Sequence, residues 1–404
     1  MDPIEILTNV DKVIPFFQPI FSADERMVMG YEVLGRIQYN DEYESLGAFF
    51  QDETIPDEYR LEIDDIIVKK AIEYWITNET KPYLFLNRNP NLLMKDNGES
   101  LLKLLLSYQE KGLLLDHIII EISEHDFNGD IEQLNHLLLY YRTYGLKVAV
   151  DNVGNGAGNF DRMNLLSPDI LKVDLHMLRK TNDRTSYQEV LYSLSLLARK
   201  IGAILLYQDI ETMYQLQYAW QNGGRYYQGF YLSKPNSEFI QPDILKDQLN
   251  REMKQFIEFE KKKIQSVYHI SVKIQQEIQK VLGKNKKSLE GNELLYEISK
   301  QLSYCSFRMY ICDEDGFQQS SNYVKTEIGW TQQPSYLHKN WSWRPYFLEN
   351  IMRMKLEKQG ILSDSYSDIE TGETIRTFSY PVNQHQFLFI DLTYEFLYDE
   401  GVIF

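Results

Sequence analysis

Seven mostly apolar runs of this chain carry, near their ends, side chains able to hold a cation or handle a proton. "GYEVLGR" carries Glu32 and Arg36, "YLFLN" ends in Asn87, "HIIIEIS" holds Glu121, and "LKVAVDN" sets Asp151 beside Asn152. "DILKVDL" holds Lys172 and Asp174, "AILLYQDI" holds Gln208, and "YYQGFYLS" holds Gln228. Three carboxylates gathered at one mouth repel, and burial makes the repulsion worse. A hard divalent cation (Mg2+, Mn2+ or Ca2+) resolves the conflict, with Asn87 adding a neutral carbonyl oxygen. Helix capping would account for one such acid but not for the set. Glu32, Leu34 and Arg36 alternate onto one face of their run. With Glu32 toward a cation, Arg36 can meet an anionic group bound beside it, because a guanidinium matches phosphate oxygens. Lys172, inside an apolar run, is expected to pair across the same site.

The elements that must position these residues follow from periodicity. Eight apolar runs, at 13–21, 28–37, 83–87, 117–123, 146–152, 169–175, 203–210 and 226–233, alternate with helical patterns at 59–76, 130–145 and 187–202. Alternating β and α elements imply a parallel sheet, and eight strands suggest closure into a barrel whose site lies at the strands' C-terminal ends. The first two runs leave no room for a helix, so their connection should be an antiparallel hairpin. The fold class is therefore α/β, a modified TIM barrel with one antiparallel strand. Residues 242–282 form one long helical pattern, with Leu245, Leu249, Met253, Phe256, Ile264, Val267, Ile274, Ile278 and Val281 as its apolar stripe. A stripe of this kind packs on a neighbour or in a dimer. Beyond it, a helix at 293–304 and strand-like segments "FRMYICDEDG", "IRTFSYPV" and "QFLFIDLTYEFL" suggest an α+β domain. The expected division is 1–241 for the barrel, 242–284 for the connector helix and 285–404 for the last domain.

Composition narrows the partners. The 404 residues carry a formal net charge of −17, which argues against binding a nucleic acid polymer through its backbone. No stretch approaches the ~20 apolar residues of a membrane span. The first residues, "MDPIEILTNVDKVIPFF", are acidic where a signal peptide is basic. Cys305 and Cys312 are too few for a disulfide framework, and their odd separation puts them on opposite faces of one strand. A cytoplasmic protein with reduced thiols is expected.

The ordered set "YEVLGR", "FLNRN", "EISEH", "DNVGNGAG", "LKVD", "YQDIET" and "YYQGFYLSKP" resembles the EAL-domain family over residues 1–240. That family comprises cyclic di-GMP phosphodiesterases with a modified TIM barrel and a Mg2+ or Mn2+ site. The resemblance implies that Glu32, Asn87, Glu121 and Asp151 ligate the first cation. It also implies that Gln18, Glu32, Leu34, Arg36, Lys172 and Gln228 meet the nucleotide. Glu32 and Lys172 fall on catalytic positions, Lys172 near the attacking water, and Glu124 matches the acid that braces the loop after strand five. The last segment, "WSWRPYF…YSDIETGETIRTFSYPV…FLFIDL", is similar to PAS/Cache-type sensor modules, which makes 285–404 a sensor domain by resemblance and implies no particular ligand.

Two catalytic positions depart from the family pattern. Asn152 stands where the family has a second aspartate, and Gln208 where it has a glutamate. The spacing of 20 residues from Gln208 to Gln228 matches the family and secures the register. Asp209 replaces a family glycine and points to the other face of its strand. Each amide is a poor ligand for a hard cation and no base, and a general base alone contributes about 10²–10⁴-fold. The expectation is a cyclic di-GMP-binding signalling protein with one divalent cation and weak or absent hydrolysis. It would be a homodimer that reports to an unidentified downstream protein. Two alternatives stand: an active or conditionally activated phosphodiesterase producing the linear dinucleotide pGpG, and a nucleotide-independent interaction scaffold.

Overall fold

The computed structural model describes residues 3–39, 42–123, 127–153, 162, 165–176, 178, 184–284, 291–344 and 347–402. They fall into two compact units, Met1–Lys254 and Gln255–Phe404. Among the described residues of the first unit, nine strands share one sheet: β1 (Val13–Ser22), β2 (Val28–Tyr39), β3 (Glu42–Ser45), β4 (Tyr83–Asn87), β5 (Ile118–Ser123), β6 (Lys147–Val153), β7 (Ile170–Asp174), β8 (Ile204–Gln208) and β9 (Gly224–Tyr227). Their order is β1-β9-β8-β7-β6-β5-β4-β2-β3, and β1 also pairs with β2, so eight strands close into a barrel. β1 runs antiparallel to both its neighbours, while the other barrel pairings are parallel. This is the irregular α/β barrel expected from the short first connection.

Period two explains how the barrel builds a site. Phe85, Ile119, Ala149, Ile170 and Leu206 fill the lumen as one apolar layer with Ile20. Two residues further along the same five strands stand Asn87, Glu121, Asp151, Lys172 and Gln208. β1 runs the other way, so its counterpart lies two residues back, at Gln18, in register with Glu32 of β2. The intervening residues, such as Leu84, Leu86, Ile118, Ile120, Val148 and Leu171, are buried on the barrel's outer face. Strands covered on both faces read as continuous apolar runs. At Gly30 of β2, a Cβ would come within 2.8 Å of the Tyr83 carbonyl oxygen, so only glycine permits this approach of β2 to β4.

Some boundaries differ from the sequence expectation. The run at 226–233 is a strand only to Tyr227, because Gly229, at φ +154°, packs against the backbone of Ile210 and turns the chain. β3 was not anticipated; its four residues are exposed and carry no apolar alternation. The long helix spans Lys246–Lys284 and starts after Pro242 rather than at it. Its Ile264 is 65% exposed and leaves the buried stripe.

In the second unit the strands are β10 (Ser306–Asp313), β11 (Asn322–Thr326), β12 (Gly329–Gln333), β13 (Ile361–Leu362), β14 (Tyr366–Ser367), β15 (Thr374–Pro381) and β16 (Gln386–Leu392). They form an antiparallel sheet in the order β12-β11-β10-β16-β15-β13, with β14 on β15. One face packs Leu294, Leu295 and Ile298 of helix Gly291–Leu302 with Ile270, Ile274 and Ile278 of the long helix. The other packs Phe347, Ile351 and Met354 of helix Phe347–Glu357 on Tyr310, Phe387 and Phe389. Cys305 and Cys312 are free thiols buried in the two different cores. The run "QFLFIDLTYEFL" stops being strand at Leu392, since Thr393 caps a helix by accepting from the Phe396 N–H. Among the described residues no helix is long and apolar enough to cross a membrane.

Replacing Phe85 with Ala should remove the lumen's aromatic plug and cost about 3–5 kcal/mol. The barrel's urea transition measures this, and an unchanged midpoint would show that the apolar layer does not hold the mouth in place.

Candidate functional site

The polar layer converges on one ammonium. Lys172 Nζ lies 2.5 Å from Glu121 Oε1, 2.9 Å from Glu32 Oε2 and 4.0 Å from Asp151 Oδ1. Lys172 and Glu121 are each only 1% exposed. Neutral amides complete the ring. Asn87 Nδ2 donates to Glu32 Oε1 (2.9 Å) and Gln228 Nε2 to Glu32 Oε2 (2.7 Å). Gln208 Nε2 donates to Asp151 Oδ1 (2.8 Å) and Asn152 Nδ2 to Asp151 Oδ2 (2.8 Å). Asn152 sits at φ +57°, in the left-handed region that asparagine and aspartate tolerate better than most residues.

Burial and charge set the protonation preferences. Burial works against the Lys172 ammonium, yet Glu121, Glu32 and Asp151 together push its pKa above the ordinary lysine range. Burial also works against the Glu32 carboxylate, but Lys172, Asn87 and Gln228 outweigh it and lower its pKa. Burial, reinforced by the Glu32 charge, drives Glu121 well above the usual carboxylate range. Asp151 is raised by burial despite the nearby ammonium.

With all three carboxylates ionised, one ammonium leaves two negative charges in excess, which is why burial and mutual repulsion raise Glu121 and Asp151. Among the described residues, Glu121 Oε2 is buried with no hydrogen-bond partner. No three acidic, imidazole or thiol side chains among those residues already form a metal cage. The donor chemistry and the charge deficit nonetheless fit one hard divalent cation. The barrel brings together Glu32, Asn87, Glu121, Asp151, Asn152, Lys172, Gln208 and Gln228. Gln18 is buried on the strand facing Glu32. Asp174 is turned to cap its own chain, accepting from the His176 N–H. Asp209, also at φ +57°, is exposed. Glu124 lies outside the described residues, as does the loop at 154–161.

A cavity of about 410 Å3 opens over this layer, lined in part by Leu34, Arg36, Asn87, Glu121, Asp151 and Asn152. Its size suits a nucleotide-sized ligand. Arg36 donates to Ser45 Oγ (3.2 Å) on β3, so the unanticipated hairpin helps hold this guanidinium. Burial lowers the Arg36 pKa, and the Glu32 charge opposes that. Sequence reasoning missed Arg88 and Asp64, which line the same cavity. Arg88 is 7% exposed; its Nη1 pairs with Asp64, while Nε and Nη2 have no partner among the described residues. The available signal was an arginine directly after a strand-ending asparagine, in "FLNRN". Its partner on helix Asp57–Thr77 follows only from the tertiary packing.

Comparison with known proteins places these features. Residues 5–235 match the EAL domain family, and residues 239–404 match a family described as an EAL-domain associated signalling protein domain. The chain is 52% identical over 402 residues to the EAL-domain containing protein YkuI of Bacillus subtilis, covering 99% of each. It superposes over 100% of both chains, with a TM-score of 0.95, on the crystal structure of that protein in complex with cyclic di-GMP and calcium. The Escherichia coli probable cyclic di-GMP phosphodiesterase PdeA is 23% identical over 57% of this chain and 32% of its own length.

Replacing Lys172 with Met leaves the carboxylates unneutralised and should cost about 3–5 kcal/mol at pH 8. The folded-state pKa of Lys172 is raised, so its stabilisation is fully present at pH 8 and is lost only as pH climbs through that value. Glu121 and Asp151 have raised pKa values, so the folded variant takes up protons before the unfolded chain does as pH falls toward the ordinary carboxylate range. The melting-temperature gap to wild type should therefore narrow at pH 5.5. An equal gap at both pH values would contradict the charge balance drawn above.

Proposed function

Because the chain belongs to the EAL-domain family, we propose that its barrel binds cyclic di-GMP together with one divalent cation and hydrolyses it weakly or not at all. The observation that carries this reading is the state of Asp151. Both of its oxygens face amide N–H donors, from Asn152 and Gln208. An amide nitrogen that donates there neither ligates a cation nor accepts a proton. Glu32, Asn87, Glu121 and Asp151 would hold the first cation. When bound, that ion would neutralise charge on the phosphodiester as a Lewis acid. Among the described residues the layer has no further carboxylate to hold a second ion or to serve as base toward water. Lys172 and Arg36 supply fixed positive charge for the phosphate oxygens. The crystallised complex of YkuI with cyclic di-GMP and calcium supports the binding step.

The same reading assigns the C-terminal unit as a PAS-like sensor. The long helix links the units. Tyr231 donates to Glu252 in its early turns (2.7 Å), and Ile270 to Val281 belong to the C-terminal core. Occupancy of the barrel and the state of the sensor would be coupled through it, in a homodimer acting on a downstream protein.

Calorimetry of the full chain should show cyclic di-GMP binding that depends on Ca2+ or Mg2+ and weakens at least tenfold in Glu32→Ala. The Asn152→Asp, Gln208→Glu double variant should convert the ligand to pGpG at least a hundredfold faster than wild type. Equal turnover by the two proteins would remove the basis for this reading, and absence of binding would leave only a scaffold.

A further inference from the structure

The C-terminal unit contains a second built cavity, of about 100 Å3, lined by Tyr310, Asn322, Trp341, Trp343 and Arg344 among others. A chain of hydrogen bonds with a forced direction shapes it. The Trp341 indole N–H can only donate, and it donates to Gln318 Oε1 at 2.9 Å. Gln318 is fully buried, so its Nε2 must face the other way. It donates to the Ser320 carbonyl (2.9 Å) and to Asn322 Oδ1 (3.0 Å). With Oδ1 consumed, Asn322 presents Nδ2 to the cavity. Asn322 is 3% exposed, and among the described residues its Nδ2 donates to nothing. Tyr310 is buried with its ring stacked on Phe389 (5.3 Å), and its hydroxyl likewise has no partner among those residues.

Two carboxylates line the same cavity, Asp368 and Glu370, and with Asp391 they are already engaged. Arg308 Nε meets Asp391 (2.6 Å), Nη2 meets Asp368 (2.7 Å) and Nη1 meets Glu370 (3.0 Å). Thr377 also donates to Asp391, Thr371 to Asp368, and Tyr336 to Glu370. The hydrogen-bonding capacity left toward the cavity is therefore the Asn322 amide donor and the Tyr310 hydroxyl, which can donate. Arg344 adds a guanidinium, held over the Trp341 ring at 4.6 Å.

We propose that this cavity binds a small monocarboxylate. Asn322 Nδ2 and Tyr310 Oη hydrogen-bond its oxygens, Arg344 supplies the opposing charge, and its apolar body rests on Trp341 and Trp343. The ligand is small because the cavity is, and its headgroup accepts because the cavity donates. This site is independent of the barrel and gives the C-terminal unit an input of its own.

The test titrates the full chain with propionate and benzoate, with propylamine as the opposite-charge probe. Indole fluorescence and saturation-transfer NMR report binding. A saturable response to either carboxylate is expected, weakened at least tenfold in Asn322→Asp and severalfold in Tyr310→Phe, with none to propylamine. Circular dichroism verifies that both variants fold, and Tyr310→Phe keeps the ring packing should Asn322→Asp not fold. Binding of propylamine instead, carboxylate affinity unchanged in the folded variants, or no saturable response to either carboxylate overturns the proposal.

Discussion

One ammonium among three carboxylates, sealed in the mouth of a barrel, is the interaction on which the rest of this chain's chemistry depends. Lys172 makes the convergence of Glu32, Glu121 and Asp151 tolerable, and its single charge falls two short of balancing the three when all are ionised. That shortfall is what the divalent cation proposed above would make good. Removing water from such a cluster is expensive, so the amides of Asn87, Gln208 and Gln228 are needed as direct partners for the carboxylate oxygens. The apolar layer beneath, centred on Phe85 and Ile119, keeps the cluster from sinking and water from entering below.

Much of this was legible in the sequence because a barrel strand buried on both faces has a simple grammar. Apolar residues continue until the chain emerges at the mouth, and the first polar side chain marks the rim. Asn87, Glu121 and Asp151 each obey that rule. Arg88 and Asp64 did not announce themselves, because their pairing joins a strand end to a helix 24 residues earlier. Such a contact depends on how the helix rotates against the sheet, which no local pattern records. The end of β9 departs from the sequence pattern for a different reason. The residues after Tyr227 have strand-like composition, but Gly229 turns the backbone regardless of its neighbours' preferences.

The C-terminal unit handles buried charge by a different logic. Arg308 is saturated by Asp391, Asp368 and Glu370, so its network is closed and structural. Gln318, a neutral residue, acts instead as a relay of orientation, passing the one-way donation of an indole to the amide of Asn322. The two units thus illustrate opposite uses of polar burial. One leaves a charge deficit open, and the other leaves donors open.

The left-handed backbone at Asn152 has an evolutionary reading. Few side chains rest comfortably in that conformation, and asparagine and aspartate are the leading ones besides glycine. They differ by one heavy atom and by a single base in their codons, as do glutamine and glutamate at the other departing position. On the function proposed above, the backbone at this position puts no barrier between binding and hydrolysis. Descendants of such a barrel can drift from one trade to the other while the scaffold stays unaltered.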